Sequence, residues 1–397
     1  MKEVIGQKNK VSWTTKMLAL YFALMPLDFV DIEGMGSVSK IVAILPIICF
    51  LFESRGKIIL RLNNTSKWLI AFTVWAIFSM AYTINFEKTY ETVTTLLLNV
   101  ALILIMADCK LYTKQEREYL RKALVIGSVF AAVVALALGL SGNNLYEAGR
   151  YTMTLGDVSQ DPNVYCGFLL FGFAYFFSNG FKEKPVLNFA VAVLFIGVSL
   201  VSGSRGGFLA FIVCAFAIFA LSGKEESKLK IFLMALTGIA IGILFVRFAL
   251  PMIDSDILSR FSLAYIRVNG TTNRFHIWES LFNRYQNADI LRKIFGHGYG
   301  TCPLLSYDGM HAAHNVYIDN LLTIGIVGVF LQIGFQISGL KTAMKNHSYY
   351  YVSLLWGMIC MCMSLSLLSY KPLWSVIMMI IIEANSCEEP VENTYTY

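Results

Sequence analysis

Arg205 lies in the stretch LVSGSRGGFLA, Leu200 to Ala210, with apolar sequence of helix length on either side. An arginine inside hydrocarbon costs at least ~2.5–3.5 kcal/mol on insertion scales, and one that is kept there is usually functional. Its planar guanidinium offers a fixed fork of donors suited to phosphate. Gly206, with Gly203 and Gly207, would let a ligand's oxygens come close to the backbone. The bland alternative is an arginine snorkelling out of a tight turn. Arg274, at the start of NRFHIW, reads alone as a solvated charge. Together with Arg150, in GRYTMTLG, and Arg205, all on one side of a membrane, it would complete a pocket for a polyanion.

Histidine is the side chain best suited to exchange a proton near neutral pH. Four of the five histidines, His276, His297, His311 and His314, fall between residues 251 and 314. His314, beside Asn315 at the mouth of an apolar run, is placed where a base would meet a lipid-borne substrate, and a helix-capping role is its structural alternative. The i, i+3 spacing of His311 and His314 would also suit two metal ligands. Catalytic zinc takes three protein ligands, however, and Asp308 or His297 is no more than a guess for the third. No metal and no cofactor are therefore expected. Asp161, Pro162 and Asn163 read as a helix start, with the aspartate near the N-cap and proline in the first turn.

The elements that must position these residues are membrane helices. Of 397 residues, 56% are hydrophobic and 15% charged, and the mean hydropathy is +0.61, more apolar sequence than a soluble core absorbs. Stretches long enough to cross hydrocarbon, roughly 17–25 residues each, begin near residues 16, 38, 66, 91, 122, 163, 186, 206, 231, 315, 350 and 372. That is an all-α membrane protein of about twelve spans. Lys2, Lys8, Lys10 and Lys16 precede the first span, and no small-residue cleavage site follows it, so it is expected to be a retained helix with its start inside. Alternation then gathers Arg55, Lys57, Arg61 and Lys67, then Lys110 to Lys122, then Lys224 to Lys230 on the inside, as the positive-inside rule asks. The net charge of +6 needs no nucleic acid to explain it. Eight scattered cysteines form neither a disulfide framework nor a zinc-ribbon spacing.

The expected organisation is spans one to nine over 1–249, an extracytoplasmic loop over 250–314, spans ten to twelve over 315–384 and a cytoplasmic tail over 385–397. A loop of that length is usually functional. Within it NRFHIWESLFNRYQNADILRKIF sets Phe275, Trp278, Leu281 and Phe282 at helical spacing, which predicts an amphipathic helix on the membrane surface or capping the bundle.

SGSRGG between two apolar spans, then NRFHIW, FGHGYG and HNVYIDNLLTIGIVG, in that order around one long loop, resemble the O-antigen ligase and O-antigen polymerase superfamily. The resemblance is strongest over residues 195 to 330. It implies a GT-C-like membrane glycosyltransferase with an undecaprenyl-pyrophosphate-linked glycan as donor and a second glycan as acceptor. Catalysis would be inverting and metal-independent, on the outer face of the cytoplasmic membrane, with chain-length or export proteins as further partners. It also implies that Arg205 and Arg274 hold the donor pyrophosphate, with Arg150 as a further contact. His314 would be the base, supported by Asn315, His311 and Gly206. Polymerase is the first expectation and ligase its close alternative. A secondary transporter or flippase is the rival from another class, and it would be expected to show two related halves.

Overall fold

The computed structural model describes residues 11–34, 36–141, 150–222, 236–238, 240, 243, 247, 255–262, 274–306, 309, 311–365 and 370–386. The first eight helices are α1 (Trp13–Leu24), α2 (Val38–Glu53), α3 (Asn64–Phe78), α4 (Phe86–Ile103), α5 (Lys114–Leu140), α6 (Pro162–Gly180), α7 (Pro185–Val201) and α8 (Arg205–Ser222). Later long helices are Arg274–Asn287, Gly325–Lys345, Tyr349–Met361 and Lys371–Ser386. Among the described residues the only sheets are two antiparallel ladders, β1 (Asp31–Ile32) with β2 (Gly36–Ser37) and β3 (Thr154–Leu155) with β4 (Val158–Ser159).

The chain is an all-α membrane protein. Among the described residues, three helical stretches are both long and apolar enough to cross a bilayer: α4 with its π-helical continuation, Phe86–Asp108, then α5, then Gly325–Lys345. The other helices track the apolar runs but are shorter, and most of the expected ninth span lies outside the described residues. The run expected to be a single tenth span is two helices, Val316–Thr323 and Gly325–Lys345. Gly325 has φ +68°, and a Cβ there would lie 2.0 Å from the Ile294 carbonyl oxygen. Only glycine permits that left-handed, close-packed break, and an apolar count passes over it.

Side-chain networks sort the helix ends into two sets. At one end Glu53 accepts from the Trp13 backbone N–H at 2.7 Å, Glu116 accepts from the hydroxyls of Ser12 at 2.6 Å and Thr15 at 2.7 Å, and Arg117 pairs with Glu383 at 2.9 Å. Asp108 accepts from Ser66 at 2.8 Å on the same side, with Asn385 bridging to it. A capping box between Thr113 and Glu116 starts α5 there. The chain therefore leaves this end in α1, α3 and α5 and returns in α2 and α4. The opposite end collects the α1–α2 turn, the start of α6, the α7–α8 turn and the start of helix Lys371–Ser386. Arg150, Arg205, Gly206, Arg274, His311, His314 and Asn315 lie at or beside that second end.

Candidate functional site

Gly203 closes α7 in the left-handed region, φ +64°, after Ser202 as C-cap. The next residue opens α8: Ser204 accepts through its backbone oxygen from Phe208 N–H at 2.9 Å and through Oγ from Gly207 N–H at 3.0 Å. That is an N-cap bond to the third helical residue, and it puts Arg205 at the first position of the helix. Ser204 also donates to Asn163 Oδ1 at 2.7 Å, fastening this turn to the start of α6.

The glycines after the arginine have a packing task. A Cβ on Gly206 would fall 2.3 Å from Ser364 Oγ, and one on Gly207 2.5 Å from Cys166 Sγ. Both therefore serve the close approach of α8 to α6 and to the turn after Met361.

Arg150 reaches the same turn from the β3–β4 side. Its Nε donates to the Ser202 carbonyl at 2.8 Å, and its stem lies over Gly203. Part of this guanidinium thus holds the turn in shape.

Asp161 is the N-cap of α6, accepting from the N–H groups of Asn163 at 2.8 Å and Val164 at 3.1 Å, with Pro162 in the first turn. It is more than a cap. Asp161, which sequence reasoning left as structural, also lies within electrostatic reach of both Arg274 and His314, with a charge opposite to that of the arginines. Its distance in sequence from both partners is why the DPN motif gave no signal of this.

Arg274 begins its helix half-buried. Burial weakens its hold on a proton, the neighbouring Arg205 guanidinium weakens it further, and Asp161 works the other way. Two guanidiniums in a partly desolvated place repel each other, and such a pair gains when an anion enters between them.

The Arg274 helix is anchored to the histidine segment one turn on. Trp278 Nε1 donates to the Ala313 carbonyl at 2.7 Å, and Ile277 and Leu281 pack with Cys302, Leu305, Ala313 and Leu322. The amphipathic helix expected here is present, and of its four expected apolar residues Leu281 and Trp278 turn to protein while Phe275 and Phe282 face outward. Phe275 is 63% exposed and Phe282 48% exposed.

His314 sits next to Ala313 with φ +49°. A non-glycine residue in that region is uncommon and is held by its surroundings. Its imidazole is half-buried, and burial first, then the Arg274 charge, push its pKa below the ordinary histidine value, with Asp161 opposing and His311 adding to the fall. The capping role belongs to Asn315, whose Oδ1 accepts from Tyr317 N–H at 3.0 Å and Ile318 N–H at 3.2 Å. His311 is exposed.

The other two histidines take no part in this cluster. His297 Nδ1 meets the Leu322 carbonyl at 2.9 Å, and His276 is exposed on its helix. Asp308 lies outside the described residues. Among the described residues no group of three or more His, Cys, Asp or Glu converges to metal-ligand spacing.

The cluster thus draws Arg205, Arg274, Asp161, His314 and His311 together, with Arg150 on the adjoining turn. Guanidiniums beside an imidazole biased toward its neutral form can hold an anionic group and accept a proton near it. Residues 190–333 match the family model described as O-antigen ligase, which supports the O-antigen ligase and polymerase superfamily for this chain. The matched stretch contains Arg205, Arg274 and His314. None of the curated proteins matches the chain.

Proposed function

We propose, from the O-antigen ligase match over residues 190–333, that this protein is a membrane glycosyltransferase that joins undecaprenyl-pyrophosphate-linked oligosaccharide repeats into a surface polysaccharide. The observation that carries the reading is that Arg205 and Asp161 lie within electrostatic reach of Arg274, and Arg274 and Asp161 within reach of His314, which brings together four separate segments of the chain.

In this mechanism Arg205 and Arg274 hold the donor pyrophosphate, and Arg150 shapes the turn that carries Arg205. His314, kept neutral by burial and by Arg274, takes the proton from an acceptor hydroxyl. The acceptor oxygen attacks the anomeric carbon from the face opposite the pyrophosphate, so the configuration inverts. The anomeric C–O bond breaks with its electron pair on the diphosphate, where the arginines stabilise the charge as it develops. The imidazolium then passes its proton to solvent. No metal enters the scheme. The cluster would face the extracytoplasmic side of the inner membrane, where a lipid-linked repeat meets its acceptor.

Ligase activity, transfer of the glycan to a different acceptor, is the second reading, favoured by the description of the matching family. The glycan profile of a strain lacking the protein separates the two. Single repeats accumulating on the lipid indicate the polymerase; full-length lipid-linked chains left untransferred indicate the ligase. A wild-type glycan profile in that strain would refute both.

A further inference from the structure

A second cleft opens at the same end of the molecule as the arginine cluster. It has a volume of ≈ 300 Å³ and is walled by the α1–α2 turn, one face of α4, Tyr299 and the start of helix Lys371–Ser386. Ligand pockets begin at about this size. Its charged lining is Asp28, Asp31 and Glu91 against Lys40, Lys88 and Lys371. Lys371 is buried, and its ammonium donates to Asp28 and Ser39. Ser37 donates to the same carboxylate at 2.8 Å. Lys88 pairs with Glu91 at 2.9 Å on the rim. Thr92 and Thr95 donate back to their own helix, to the carbonyls of Lys88 at 2.8 Å and Glu91 at 3.1 Å, which leaves their oxygens able to accept.

The chemistry of this lining selects one class of ligand. A pyrophosphate needs an excess of cations, as in the arginine cluster, and a bare metal ion needs an excess of carboxylates. Here three acids face three ammoniums. Donors and acceptors alternate around the space, and Leu96 and Tyr299 give it an apolar side. That combination fits a polyhydroxylated ring, whose hydroxyls both donate and accept while its C–H faces need an apolar neighbour.

The cleft is also tied to the start of α6, which carries Asp161. Gln160 Nε2 donates to the Pro26 carbonyl at 3.1 Å, linking the residue before Asp161 to the turn that carries Asp28. On the other side Tyr370, beside Lys371, lies against Gly167 of α6 and within electrostatic reach of Asp161.

We propose that this cleft is the acceptor-saccharide subsite, a role that rests on the glycosyltransferase reading above. Lys40 and the Glu91 carboxylate, both exposed on the rim, hold hydroxyls of the incoming sugar while Tyr299 backs its ring. The donor stays with Arg205 and Arg274.

The test uses full-length protein in detergent, with two probes. One is the lipid-linked repeat as donor. The other is the oligosaccharide freed from that lipid by mild acid, without lipid or phosphate, whose binding is followed by saturation-transfer NMR. The rim variant is the double substitution Lys40→Ala with Glu91→Gln, which leaves the buried Asp28–Lys371 pair untouched. Its acceptor KM is expected to rise about tenfold or more, as loss of charge-assisted hydrogen bonds gives, while donor KM and kcat stay near wild type. Binding of the free oligosaccharide should be lost in this variant and kept in Arg205→Ala. Unchanged acceptor KM or retained binding in the double variant, with wild-type protein still transferring, overturns the subsite and leaves the glycosyltransferase reading standing. Absence of transfer by wild-type protein, or full transfer by Arg205→Ala, overturns that reading and the subsite with it.

Discussion

Gly206→Ala probes whether the glycines of the α7–α8 turn serve packing or ligand approach. The added methyl would lie 2.3 Å from Ser364 Oγ and 2.6 Å from Ser364 Cβ, well inside ordinary van der Waals contact. Ser364 cannot simply swing aside, because its hydroxyl donates to the Met361 carbonyl at 3.1 Å and its backbone N–H bonds the same oxygen at 2.9 Å. Overpacking of this kind typically costs about 1–3 kcal/mol. The variant should therefore lose its fold at a lower temperature in detergent. Arg205 is the adjacent residue, so a shift of the α8 start carries the guanidinium with it, and a misplacement of about 1 Å can reduce turnover about 100-fold. Ser364→Gly removes both clashing atoms. In the double variant Gly206→Ala/Ser364→Gly stability and transfer should recover together, with a coupling of about 0.5–3 kcal/mol in the double-mutant cycle. The packing account is refuted if Gly206→Ala keeps wild-type stability yet loses donor binding, and Ser364→Gly fails to restore it. Gly206 would then face the ligand after all.

Arg205→Lys and Arg274→Lys should each abolish most transfer, because an ammonium is a point charge and not a planar fork; wild-type activity in both would leave these arginines with no part in the chemistry. His314 has its pKa pushed down, and its working form is the neutral one, so activity should persist below the ~6.5 of an unperturbed histidine before failing in acid. Arg274→Gln removes one cause of that fall, and the His314 titration followed by NMR should move up; no movement would refute the coupling. His314→Ala should lower turnover by about 10²–10⁴-fold while binding donor, with a strong chelator having no effect on the wild-type protein. Asn315→Ala, by contrast, should destabilise the protein by about 0.5–2 kcal/mol through loss of a helix cap, a difference read by thermal unfolding. Impermeant cysteine labelling should find position 114 inside and position 289 outside, and an inward-facing 289 would overturn the orientation of the site.

Membrane class was legible because apolar runs of spanning length are a property of composition and order alone. The start of α6 was legible for a similar local reason: Asp161 makes its capping bonds within a few residues, with Pro162 in the first turn. The break between Thr323 and Gly325 was hidden, since nothing in an apolar run announces that Gly325 will lie against the Ile294 carbonyl in the left-handed region. Which side of the Arg274 helix meets protein was hidden for a related reason. Phe275 and Phe282 are as apolar as Ile277 and Leu281, and in a membrane protein apolar character does not say which residues face protein and which face lipid or surface.

The site was legible as a set of residue types and illegible as a geometry. Arg205, Arg274 and His314 stood out because charge and imidazole are rare in such a sequence. Asp161 did not, because its local capping role already accounted for it, and its second role depends on residues more than a hundred positions away. That second role matters physically. Arg205 and Arg274 disfavour each other's charge, and the Arg274 charge also disfavours a protonated His314. Without a carboxylate nearby, the empty site would carry this repulsion in full. Asp161 offsets part of it at the end of α6, where the helix N-terminus in turn stabilises the carboxylate. Replacing Asp161 with asparagine keeps a good N-cap and removes only the charge. The variant should fold as well as wild type, with the His314 titration moved further down and donor bound more tightly, because the pyrophosphate no longer competes with a fixed anion. A variant in which the His314 titration stays in place would show that Asp161 is only the cap its sequence suggested.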